Sequence, residues 1–156
     1  MDNYKFISKN TIQYLSLHDC CCSRMYWNRT NFIFEMEWME VLASHPDNPF
    51  DKAQQSGEGA IVLYDPVIDS GELTNGDNSI SIVELNEVKD FEILRFDEIV
   101  NKDRFELSLF GDSVCEPKAE FIEMIINYSS SKVMFNEFGE ISWFESEEFS
   151  NSKPFD

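Results

Sequence analysis

Hydrophobic residues recur at every second position over much of this chain, and that period constrains the fold more than any other feature. From Phe32 onward, Phe32, Phe34, Met36 and Trp38 fall on one side and Glu35 and Glu37 on the other. Period two is the signature of a strand with one buried face. The pattern returns at Ile80-Ser81-Ile82 and in Phe105-Glu106-Leu107-Ser108-Leu109. It returns again where Ile122, Met124, Ile126 and Tyr128 oppose Glu123 and Asn127. The unbroken apolar run Ala60-Ile61-Val62-Leu63-Tyr64 reads as a strand buried on both faces. Val133 to Phe135 and Ile141 to Phe144 flank the turn-prone Asn136-Glu137-Phe138-Gly139, which reads as a hairpin connection.

Helical periodicity is weak. Residues 84–100 carry charges that suit a short helix, yet Phe91, Ile93, Leu94 and Phe96 fit neither period. Strand is the reading preferred over 91–96. One helical turn is expected within residues 47–56, after Pro46 or Pro49. His45-Pro46-Asp47-Asn48-Pro49 reads as a loop. Residues 65–79, with Pro66, Gly71, Asn75-Gly76 and Asp77-Asn78, read as a long mobile connection between two antiparallel strands. The expected architecture is one mainly β domain over residues 1–156: seven to nine strands in an antiparallel sandwich or partly open barrel, with few short helices. Residues 145–156 are polar and acidic and read as a frayed tail.

Charge narrows the function. Thirty Asp and Glu face twelve Lys and Arg, a formal net charge of −18. Residues 1–30 carry +2, so the remaining 126 carry −20. Such a surface repels phosphate backbones and anionic lipid, which argues against nucleic-acid or membrane partners. No apolar run reaches the length of a signal peptide or a membrane span, so a cytoplasmic location with reduced thiols is expected.

Candidate chemistry is sparse. In His18-Asp19-Cys20-Cys21-Cys22, a strand would turn His18, Cys20 and Cys22 to one face, where an imidazole and a thiolate suit zinc. A second ligand cluster is missing, so no metal or cofactor is expected, and the stronger reading is cysteine as a small buried hydrophobe, unbridged. A cysteine nucleophile has only His18 and His45 as bases, at spacings that match no known setting. Glu35 and Glu37, beside Trp38, present the paired carboxylates of a glycoside hydrolase, but any half-exposed strand shows two such acids. No phosphate loop or nucleophile elbow is present, and no catalytic residue is assigned.

In size, in acid concentrated after residue 30, in abundant Phe and Trp and in lacking a catalytic set, the chain resembles the small acidic cytoplasmic immunity proteins of bacterial polymorphic-toxin systems. Leu17-His18-Asp19-Cys20 and His45-Pro46-Asp47-Asn48-Pro49 have the look of uncharacterised bacterial families and match no defined family motif. The resemblance implies a non-enzymatic inhibitor that neutralises a basic toxin protein, often a nuclease. The residues expected at that interface are the outward acids Glu35, Glu37 and Glu40, with Glu137, Glu140 and Glu145 at the acidic hairpin end. Two alternatives stand beside it: a small-molecule or carbohydrate-binding β domain, and an enzyme whose carboxylates are assembled from separate strands.

Overall fold

The computed structural model describes residues 3–76, 78–113 and 119–145; most of the expected tail, and Cys115, lie outside them. The protein is mainly β, in two antiparallel sheets, neither of which closes into a barrel. The larger sheet has ten strands. From one edge to the other they are β1 (Phe6–Lys9), β13 (Ser130–Phe135), β7 (Gly59–Tyr64), β4 (Asn31–Met36), β3 (Cys21–Trp27), β10 (Glu87–Asn101), β11 (Arg104–Ser113), β12 (Ala119–Tyr128), β8 (Val67–Asn75) and β9 (Asn78–Ser81). The smaller sheet orders β14 (Phe138–Ile141), β6 (Gln54–Ser56), β5 (Glu40–Val41) and β2 (Leu15–Ser16). Among the described residues helix is confined to three 3-10 turns, Ile12–Tyr14, Ile82–Glu84 and Trp143–Glu145.

Alternation decides what is inside. Phe32, Phe34 and Met36 of β4 join Ile61 and Leu63 of β7, Leu107 and Leu109 of β11, and Ile122, Met124, Ile126 and Tyr128 of β12 in one core. Full burial of each such large side chain is worth about 1.5–3 kcal/mol. The run at β7 is buried on both faces, as its composition requires.

Four local expectations are corrected. Among the described residues fourteen strands form, against seven to nine expected, because several are only two to four residues long. The strand expected over 91–96 does form and is longer, Glu87–Asn101, and a bulge between Ile93 and Arg95 explains its mixed period. Phe91 and Ile93 point inward before the bulge, while Phe96 packs on the core and against Phe34 after it. An extra residue reverses the phase of alternation. Gly111 sits across from this bulge. A Cβ there would lie 2.1 Å from the Glu92 carbonyl oxygen.

Residues 65–79 are not a connection. They form β8 and most of a hairpin with β9, and Gly76, at φ +62°, lies in the turn. Only Leu73 of β8 is buried, so the strand carries almost no apolar signal. Gly71 is needed where a Cβ would meet Ile82 Cγ2 at 2.1 Å. Asn136 to Gly139 does not close a hairpin either: β14 crosses to the smaller sheet and pairs with β6. The reason is aromatic. Phe138 packs edge-on against Phe6, Phe135 and Phe50, which draws the chain across. Residues 47–56 hold hydrogen-bonded turns and β6 rather than a helical turn.

Candidate functional site

The side of the large sheet turned away from the main core carries its own small cluster. Cross-strand register aligns Tyr26, Ile33, Val62 and Lys132 in one row across β3, β4, β7 and β13. The next row is Arg24, Glu35, Ala60 and Met134. Ile33, Ala60, Val62 and Met134 are buried, and Tyr4, Tyr26 and Tyr64 pack over them. These tyrosines present large, rigid surfaces with a polar tip, the side-chain type that anchors protein interfaces.

Acids gather at one border of this face. A cleft of about 240 Å³ is walled by Tyr4 and floored by Gly59 and Ala60, with Glu35, Glu37 and Glu58 around it. Burial, then the charges of Glu35 and Glu58, push the Tyr4 hydroxyl above its ordinary pKa. The Tyr26 hydroxyl is also raised, chiefly by burial and then by Glu35. The nearest cation is engaged already: the Arg24 guanidinium lies 3.9 Å over the Tyr26 ring and its Nε donates to Glu87 Oε2 at 2.6 Å. Its contact with Glu35 is a looser 3.9 Å. The cleft therefore presents three carboxylates with little neutralisation among the described residues.

The six acids expected at an interface do not form one patch. Glu35 and Glu37 belong to the cleft. Glu40 does not reach the surface. It is 1% exposed, Gln55 Nε2 donates to its Oε1 at 3.0 Å, and Ser142 Oγ pairs with its Oε2 at 3.1 Å. Burial pushes its carboxyl above the usual range. The expectation that Glu40 faces outward is corrected: it shares the parity of Phe32, Phe34, Met36 and Trp38, the inward side, and lies in β5 of the smaller sheet. Glu137 and Glu140 are exposed at the β14 end, and the half-buried Glu145 accepts a hydrogen bond from the Ala53 N–H. Glu58, Tyr4 and Tyr26 went unselected in the sequence. The alternation of Arg24 and Tyr26 around buried Met25 was the available signal for Tyr26.

The nucleophile candidates are poorly placed for chemistry. Cys20 and Cys22 are fully buried in the main core, and desolvation pushes both thiols up to about 12. Such a thiol stays protonated and unreactive at neutral pH. His18 is exposed and bonded to Asp19 at 3.0 Å, apart from the two buried cysteines. Cys20, Cys21 and Cys22 are free thiols. His45 Nδ1 accepts the Asp47 N–H at 3.0 Å, which leaves Nε2 as the proton-bearing atom toward Ser8 Oγ at 3.3 Å. A base that activates serine needs the opposite arrangement. Among the described residues no group of three or more His, Cys, Asp or Glu gathers to hold a metal. The Trp27 cleft, about 300 Å³, is bordered by Phe32, Ile68, Val83 and Arg29, with no carboxylate. No helix among the described residues is long and apolar enough to cross a membrane.

Compared with known proteins, the chain matches no family model, no curated protein and no solved structure.

Proposed function

We propose that the chain is a non-enzymatic acidic binding protein of the immunity type, which docks on a basic protein toxin through the tyrosine-bordered outer face of β3, β4, β7 and β13. The observation that carries this reading is the convergence of Glu35, Glu37 and Glu58 on the Tyr4 cleft, outside the main core. Exposed charges so placed add little to folding. They attract a cationic partner at long range, and the tyrosines supply the desolvated contacts that hold it. Three free thiols suit a reducing, cytoplasmic site of action.

The test is co-expression with the products of the neighbouring reading frames, followed by association kinetics on any complex that co-purifies. Association should slow about ten-fold or more between 0.02 and 0.3 M salt. The triple reversal Glu35→Lys, Glu37→Lys, Glu58→Lys should slow it comparably with little change in melting temperature. No complex with a basic protein, or one indifferent to both salt and the reversals, overturns the reading.

A further inference from the structure

The ten-stranded sheet ends in two free edges of different character. At one, β1 ends in exposed Lys9 and turns away at Asn10, φ +56°, with exposed Lys5 just before it. Lysines and abrupt ends are how sheet proteins prevent unwanted strand pairing. At the other edge, β9 reads Asn78-Ser79-Ile80-Ser81, pairs among the described residues only with β8, and is exposed at all four positions. It has no charge, no proline and no bulge.

Beside this edge lies an unresolved conflict of charge. Glu72 of β8 stands directly opposite Glu123 of β12. Like charges in direct cross-strand register repel. Among the described residues neither has a cation at ion-pair distance: Glu72 accepts only a 3.3 Å hydrogen bond from Ser79 Oγ. Both line an open groove of about 410 Å³ whose other walls, Ser70, Gly71 and Ser81, are small. The register continues the row from Glu123 through Glu72 to Ser81 at the edge. Ile80 pairs with buried Leu73, so it lies on the core side of the sheet, 43% exposed at the rim.

We infer that β9 is a second interaction edge, which accepts an extended protein segment of alternating basic and apolar residues as an eleventh strand. On the outer side, an arginine or lysine opposite Ser81 reaches over that small residue to Glu72, and so offsets its repulsion with Glu123. With strands about 4.8 Å apart, the incoming backbone lies about 10 Å from that of β8, a gap that one long cation and one glutamate bridge together. On the inner side, the intervening apolar residue covers Ile80. Backbone hydrogen bonds supply affinity, and the alternation supplies selectivity. This edge is distinct from the tyrosine-bordered face and does not depend on its role.

The probe is a synthetic, end-blocked nine-residue peptide of alternating arginine and valine. Its controls are a peptide with glutamate in place of arginine and one of the same composition with the arginines in a block. The alternating peptide should bind at least about ten-fold more tightly than the blocked one, since only the former places its charges and apolar groups on opposite faces. The alternate amides of residues 78–81 that point away from β8 should gain protection from hydrogen exchange. Glu72→Gln with Glu123→Gln should weaken binding about ten-fold while the melting temperature holds or rises, because a repulsion is removed. Ser79→Lys with Ser81→Lys should abolish protection at the edge. Equal binding of the alternating and blocked peptides, or binding without protection at 78–81, overturns the inference. A co-purified complex that is sensitive to the Glu35, Glu37 and Glu58 reversals but not to these variants limits partner binding to the tyrosine-bordered face. Peptide binding at β9 without any such complex has the converse meaning.

Discussion

The two sheets bury their residues by opposite chemistry. The large sheet faces its core with Phe32, Phe34, Met36, Ile61, Leu63, Leu107 and Leu109, contacts that are non-directional. The small sheet and the turns around it bury Glu40, His45, Asn48, Gln54, Ser56 and Ser142. There, stability depends on each donor meeting an acceptor. Asn48 shows the contrast most clearly: its Nδ2 donates to the carbonyls of Val41, Leu42 and Lys52 at 3.1–3.2 Å, and its Oδ1 accepts the Phe50 N–H at 2.8 Å. The large sheet should therefore tolerate changes of shape that keep hydrophobicity. The small sheet should tolerate almost none that remove a polar atom.

The widest separation is expected at Phe34. Phe34→Ala should cost about 3–5 kcal/mol in denaturant unfolding, whereas Phe34→Leu should cost far less, since volume and polarity are nearly kept. A similar loss for both would mean that the core depends on aromatic geometry, seen in the Phe32–Phe34 and Phe34–Phe96 contacts, more than on burial. At Asn48 the ranking of replacements should differ. Asn48→Ala and Asn48→Leu should both cost about 2–3 kcal/mol, because either leaves the same buried groups unpaired. If leucine rescued alanine there, the contrast between the sheets would fail.

The smallest effect, and the most diagnostic, concerns pH. Burial raises the Glu40 carboxyl above its unfolded value. The folded state thus holds that proton more tightly, so this contribution to stability is full below the unfolded pKa and is lost as pH rises through the folded one. Burial lowers His45, whose contribution runs the other way: present above its unfolded pKa and lost as pH falls through the folded value. Glu40→Gln should remove the first slope, with melting temperatures compared from pH 4.5 to 8. At pH 8 the variant should match or exceed the parent by about 1 kcal/mol, since it no longer buries a charge. A parent whose stability is flat over that range, or a variant that keeps the slope, would show that Glu40 is solvated in practice.

The interior strands were legible because their signal is local. Phe32 to Met36 and Ile122 to Tyr128 alternate in sequence and are buried in the same alternation. β8 was not legible, because a strand with one buried residue has no period to read. β10 was half legible, since its bulge reverses the phase between Ile93 and Arg95. Among the candidate site residues, Glu35 and Glu37 are legible from their outward parity, whereas Glu40 has the inward parity of Phe32 to Trp38 and is buried.

By itself, the sequence determined that this protein is built of strands, which positions of the central strands turn inward, and that an excess of eighteen negative charges must lie mostly on its surface. Only the tertiary structure decided that Phe138 carries β14 to a second sheet, that this sheet closes over Glu40, and that Tyr4 and Glu58 meet Glu35 at one cleft. The reason is physical. Alternation is fixed by the geometry of one strand and survives any arrangement of its neighbours. Burial of a charged residue depends on which strand lies next to it and which partners that strand brings. That pairing is chosen by contacts between segments as far apart as Glu40 and Ser142, 102 residues along the chain.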